Sequence, residues 1–159
     1  MATSNKKLAE SLDVFKALQS GGGRRVFRSE ELSRIHRERL VSNGFLQEVM
    51  KGWLISASPS VRESDSTPWY ASFWEFCRRY CNARFSDYWH LSPEQSLLIH
   101  GEKTVIPEQV VVYSPKGTNN TVSLLFGTSL YDLKQPAMPA AADLVVMTGC
   151  GFFPLPRRW

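Results

Sequence analysis

Ten side chains in the first third of the chain have the chemistry to hold a nucleic acid: Arg24, Arg25, Arg28, Arg34, His36, Arg37, Arg39, Ser42, Asn43 and Lys51. Arginine pairs bidentately with guanine and asparagine with adenine, while Lys and Arg neutralise phosphates. On a short helix, His36, Arg37, Arg39, Ser42 and Asn43 would form the reading face, with Arg34 contributed by the segment before it. Arg24, Arg25 and Arg28 would grip flanking phosphates. Lys51, at a hairpin tip, would sit beside the backbone or over the minor groove. Charge distribution agrees with this reading. Residues 1–56 hold ten Lys/Arg against six Asp/Glu, a net +4, whereas residues 57–159 hold nine of each. A basic head on a neutral body is the electrostatic footprint of a nucleic-acid binder. Glu38, in the middle of the reader, opposes it, and the same residues would also serve to solvate an amphipathic helix pair.

Chemistry of other kinds finds less support. There is no Gly-x-Ser-x-Gly elbow, no Walker loop and no His-Glu-x-x-His. The run Gly21-Gly22-Gly23 lacks the Lys-Ser/Thr ending of a phosphate loop and precedes no long helix. His36 lies among arginines, His90 ends an aromatic strand and His100 ends a helix, positions that suit structural roles. Cys77, Cys81 and Cys150 make a poor disulfide set, odd in number in a chain that reads as cytosolic. Cys77 and Cys81 are four apart, longer than a Cys-x-x-Cys zinc turn, and nothing in the spacing of His90 and His100 demands them as further ligands. Cys77 and Cys81 therefore read as buried free thiols. The expectation is a protein without catalytic residues, cofactor or metal.

The elements that must position these groups follow from periodicity. Leu8, Leu12, Phe15 and Leu18 recur at helical spacing, and glycines after Ser20 stop that helix. Arg24 to Arg28 is extended. Ser29, followed by Glu30 and Glu31, predicts the cap of a second short helix that buries Leu32 and Ile35. A third covers Arg37 to Asn43, with Gly44 as its stop. Two β-rich runs, Phe45–Met50 and Trp53–Ser56, flank Lys51-Gly52 and predict a tight hairpin with Gly52 at positive φ. Helix, strand, helix, helix, hairpin is the order of a winged helix-turn-helix.

The fold class predicted is therefore α+β: a winged helix-turn-helix over 1–56, a Ser-rich linker over 57–67, a small mixed α/β body over 68–147 and an irregular tail over 148–159. In the body, Trp69, Phe73, Phe76, Cys77 and Tyr80 form the inward stripe of a helix from Pro68 to about Arg84. Tyr88–Leu91 is a short strand candidate. Ser92-Pro93-Glu94-Gln95 predicts a capping box and a helix from Pro93 to near Gly101. Val110–Tyr113 predicts a strand covered on both faces, with Thr121–Phe126 returning and Asp143–Met147 last. With 159 residues, 43% hydrophobic and 21% charged, the chain suits a globular protein. No apolar run of about 18 residues and no apolar leader occur, so a cytoplasmic protein without a membrane span is expected.

The stretch Val26-Phe27-Arg28-Ser29-Glu30-Glu31-Leu32, followed by the run from Arg37 through Asn43-Gly44-Phe45-Leu46 to Lys51-Gly52-Trp53-Leu54-Ile55, resembles the winged-helix head of AbiEi-type antitoxins. These are the antitoxin halves of type IV toxin–antitoxin pairs. Leu91–Gly101 and Gln109–Gly117 look like the body that follows that head. The similarity is closer still to longer bacterial proteins in which head and body precede a Fic domain, and it covers residues 1 to about 146. The resemblance implies double-stranded DNA as partner, transcription regulation of the protein's own operon, and a cognate toxin or Fic-domain protein as a further partner. The alternative it implies is a non-catalytic interaction or regulatory region of a Fic-type AMP-transferase. The chain carries no His-x-Phe-x-(Asp/Glu)-Gly-Asn-Gly-Arg run, so AMP transfer is not expected of it. The ending after Met147 departs from the relatives' continuation, as in a chain cut short.

Overall fold

The computed structural model describes residues 3–19, 23–60, 62, 64–100, 105–138, 144–146 and 154–156. The protein is α+β, with helices, two sheets and a two-stranded ribbon. Gly21, Gly22, Gly101, Cys150 and most of the 148–159 tail lie outside the described residues. The chain divides into two compact units, Met1–Ser72 and Phe73–Trp159.

In the first unit α1 (Ser4–Leu18) is followed by β1 (Val26–Arg28), a turn of 3-10 helix (Ser29–Glu31), α2 (Arg34–Ser42), β2 (Leu46–Met50) and β3 (Trp53–Ser56). The strands form an antiparallel sheet in the order β1-β3-β2, with Val26 opposite Ile55 and Arg28 opposite Trp53. Lys51-Gly52 closes the β2–β3 hairpin, Gly52 at φ +90°, and the register shifts between Glu48 and Met50. An L side chain at Gly52 would be strained. The Gly52 carbonyl accepts from the Ser29 N–H at 3.0 Å, which ties the hairpin turn to the 3-10 turn. Phe15, Phe27, Leu32, Leu40, Leu46 and Leu54 form one buried cluster, with Leu12, Leu18 and Phe45 against it.

The expected second helix is a single 3-10 turn. Ser33, not Ser29, caps the following α-helix, its Oγ accepting from the His36 N–H at 3.3 Å. One helix thus runs from Arg34 where two were expected. Leu32 is buried as predicted, but Ile35 is 63% exposed. The cause is helical phase: Leu40 takes the core position, and a residue five places earlier lies roughly 140° around the axis.

α3 (Thr67–Phe85) begins in the first unit and continues into the second, where it turns Phe73, Phe76, Cys77, Tyr80, Cys81 and Phe85 inward at three- and four-residue steps. Then come β4 (His90–Leu91), α4 (Pro93–His100), β5 (Gln109–Ser114), β6 (Asn120–Ser123), a 3-10 turn (Leu125–Gly127) and β7 (Ser129–Lys134). The sheet order is β4-β5-β7-β6; β5 and β7 run parallel, and β6 pairs antiparallel with β7. β8 (Leu144–Val146) pairs with β9 (Pro154–Pro156), a strand within the stretch predicted to be irregular.

Three local expectations change. Gln95 does not complete a capping box. Its Nε2 donates to the Gln109 carbonyl at 2.5 Å and its Oε1 accepts from the Val111 N–H at 2.9 Å, so the side chain clamps α4 to β5. β5 is not covered on both faces: Val110, Val112 and Ser114 are buried, whereas Val111 and Tyr113 are half-buried. The strand after the Ser114–Gly117 turn pairs with β7, a strand the sequence reading did not contain. Gly117 is where that turn presses on β7, since a Cβ there would stand 2.8 Å from the backbone of Leu133 and Lys134.

Candidate nucleic-acid interface

The ten predicted residues all belong to the first unit, and their side chains divide by what they already hold. Arg24 is occupied by the protein itself. Its Nη2 lies 2.6 and 2.5 Å from the two Glu31 carboxylate oxygens, its Nε donates to the Val26 carbonyl, and its guanidinium lies 4.7 Å from the Phe27 ring centroid. Glu31 also accepts from the Arg28 N–H at 2.7 Å, so the acid expected at a helix N-terminus does stand there, in the first turn of the 3-10 helix, and pins that turn to β1. Arg28 stacks its guanidinium 4.4 Å from the ring of Trp53, its cross-strand neighbour. Arg25 and Lys51 are exposed, Lys51 at the hairpin tip.

On α2 the basic residues separate by helical phase. His36 and Arg39 turn to α1 and meet at one hydroxyl, that of buried Ser11: His36 Nδ1 is 2.8 Å from its Oγ and Arg39 Nη1 donates to it at 3.0 Å. Arg39 Nη1 also donates to the Lys7 carbonyl at 2.8 Å. Arg37 turns to the other side, its Nη1 donating to the Ser29 carbonyl at 2.8 Å. Two positions apart on a helix means roughly 160° around the axis, so Arg37 and Arg39 flank the outward arc from opposite sides. Ser42 Oγ and Asn43 Nδ2 both donate to the Arg39 carbonyl, at 3.1 and 2.7 Å, and close the helix end.

The centre of the outward arc belongs to other residues. Arg34, 81% exposed by its side chain, pairs through Nε with Glu38 Oε1 at 2.7 Å, and Ile35, Val41 and Ser42 lie beside them. The hydrogen bond from Arg34, with its charge, holds the Glu38 carboxyl below the ordinary carboxylate range and raises the Arg34 guanidinium. Glu38 was expected in the middle of this face, but Ile35 was expected to be buried in a preceding helix, because the sequence reading began the reading helix at Arg37. The Ser33-to-His36 spacing was the signal that would have corrected it.

The second unit holds buried polar groups of a structural kind. Cys77 and Cys81 are buried thiols, and burial pushes both above the ordinary thiol range. Among the described residues no three His, Cys, Asp or Glu side chains gather to hold a metal ion, and no helix is long and apolar enough to cross a membrane. His90, 3% exposed, places Nδ1 2.9 Å from the Leu91 carbonyl; a carbonyl only accepts, so Nδ1 carries the proton. Its Nε2 is buried without a hydrogen-bond partner.

Burial lowers the His90 pKa below its ordinary 6.5, while the Leu91 contact raises it by less. The folded state therefore prefers neutral imidazole. That contribution is fully present above about pH 6.5, the unfolded value, and is lost as pH falls towards the lower folded value. Urea midpoints at pH 7.5 and 5.0 check this: the wild type should lose more stability on acidification than His90→Gln. Equal losses would show that His90 does not carry the dependence.

Comparison with protein-family models, curated proteins and solved structures found no match to the chain.

Proposed function

We propose that the first unit binds double-stranded DNA and that the protein acts as a transcriptional regulator of antitoxin-like type, without catalysis. One observation carries this reading: in a unit whose residues 1–56 carry a net charge of +4, an antiparallel β1-β3-β2 sheet with α2 between β1 and β2 leaves the outward arc of α2 and the Lys51 hairpin tip exposed. A helix and a wing of this kind suit the major groove and the flanking backbone. Arg25 and Lys51 supply phosphate contacts. Arg24, Arg28, Arg37 and Arg39 act by holding β1, the 3-10 turn and α2 in place.

Titration of random duplex DNA against salt tests this. Affinity should fall steeply as salt rises, each phosphate contact adding roughly 0.9 to the log–log slope, and Lys51→Ala should lower the slope by about one contact. No binding at low salt would remove the reading. The second reading, docking of a toxin or Fic-domain protein on the same surface, draws on exposed Ile35 and Val41 beside a neutralised Arg34–Glu38 pair. A salt-independent complex with such a partner, and none with DNA, would favour it.

A further inference from the structure

We infer that Arg34, Ile35, Glu38 and Val41 are the specificity-determining residues of α2, reading a duplex site that combines a G·C pair with thymine methyl groups. The inference rests on the duplex-binding reading above and adds which residues discriminate and what they discriminate.

Helix stability does not account for these four residues. Arg34 is the first residue of a nine-residue helix, where the N-terminal end of the dipole disfavours a cation. Its pairing with Glu38 runs Arg before Glu, the poorer of the two orientations at a four-residue spacing. Ile35 is β-branched and 63% exposed, and Val41 is 39% exposed, so neither serves helix propensity or the core. Local choices that oppose the local structure mark a functional surface.

The chemistry of the four is that of base edges rather than phosphates. The first turn of a groove-bound helix is the part that reaches bases, and Arg34, Ile35 and Glu38 lie in or next to it. A free arginine fork matches guanine O6 and N7; a carboxylate accepts from cytosine N4; an aliphatic side chain packs on the thymine methyl. Glu38 would repel a phosphate, so it works against loose electrostatic binding and rewards only a sequence that offers it an amine. In the unbound protein it also keeps the Arg34 fork paired at 2.7 Å, a contact exchanged for bases in the groove. The Arg37 and Arg39 donors held by the Ser29 and Lys7 carbonyls fix this arc from its two flanks.

Selection of the full chain against a random duplex library, near physiological salt, provides the test. The selected site should contain a G·C pair and thymines at fixed spacing. Arg34→Ala and Arg34→Lys should each reduce the preference for the selected site over random duplex by about ten- to hundredfold, with Arg34→Lys keeping random binding close to the parent's. Glu38→Gln should shift the opposite way, tightening random binding while flattening the preference. Replacing the site's thymines by uracils should cost the parent about three- to fivefold and an Ile35→Ala, Val41→Ala double variant almost nothing. These side chains are exposed, so circular dichroism of each variant should match the parent's. Binding without preference, or preferences unchanged in Arg34→Ala and Glu38→Gln, would overturn this inference and leave duplex binding standing. No binding at any salt would remove both, and self-association abolished by Ile35→Ala would assign the arc to a protein contact instead.

Discussion

Asp132→Ala is expected to remove on the order of 3–5 kcal/mol from the second unit, the range for stripping one partner from a buried ionic network. Asp132 sits in β7 at 1% exposure. Its Oδ1 accepts from the Thr118 N–H at 3.0 Å, the Thr118 hydroxyl at 2.9 Å and the Asn120 N–H at 3.1 Å, and its Oδ2 lies 3.2 Å from Arg84 Nη2. Arg84 in turn donates to the Tyr80 hydroxyl at 2.6 Å and to Thr118 Oγ1 at 3.0 Å. One carboxylate thus joins α3, the turn after β5 and the start of β6. Alanine would leave two backbone donors and a guanidinium without their acceptor. Asp132→Asn keeps an oxygen for the turn but points an amide at Arg84, so a smaller loss, about 1–3 kcal/mol, is expected. Urea unfolding gives the magnitudes, and hydrogen exchange at the Thr118 and Asn120 amides gives the location. An unchanged midpoint for Asp132→Ala would show that the network contributes nothing net.

Phe27→Ala is the matching experiment for the first unit, with an expected cost of about 3–5 kcal/mol. The Phe27 ring is fully buried in β1, stands edge-on to Phe15 at 5.2 Å between centroids, and carries the Arg24 guanidinium over one face. Truncation leaves a cavity shared by α1, β1 and the loop into α2, and it removes the platform on which Arg24 reaches Glu31. Phe27→Leu keeps most of the volume and should cost less than about 1.5 kcal/mol. A small effect of alanine, measured by denaturant midpoint, would mean that the core closes over the gap.

Much of the fold was legible because several local signals agreed. Leu8, Leu12, Phe15 and Leu18 announce α1, Lys51-Gly52 announces the hairpin, and Ser92-Pro93 announces the start of α4. The misses have identifiable causes. Ser29 and Ser33 are both acceptable caps, and single-sequence reasoning cannot weigh the tertiary contact that decides between them: Leu32 and Leu40 entering one cluster. β7 reads Ser-Leu-Tyr-Asp-Leu-Lys, and its inward positions are Leu130 and Asp132. A carboxylate on the core face breaks the alternation that identifies a strand. β9 is Pro-Leu-Pro, a composition that argues against a strand except at an edge. At the candidate interface the residue types were visible, but their division was not. Which arginines turn to the Lys7 and Ser29 carbonyls depends on helical phase, and phase depends on where α2 begins.

The parallel pairing of β5 with β7 also governs the order in which the chain can mature. During synthesis β5 and β6 emerge before their shared neighbour exists, and among the described residues β6 pairs with β7 alone. Until Lys134 has left the ribosome, Val110–Tyr113 offers an open edge along a β-branched segment, the condition that invites intermolecular strand addition. Fragments ending between Ser123 and Ser129 should therefore precipitate or be degraded, whereas those extending past Lys134 can close the sheet.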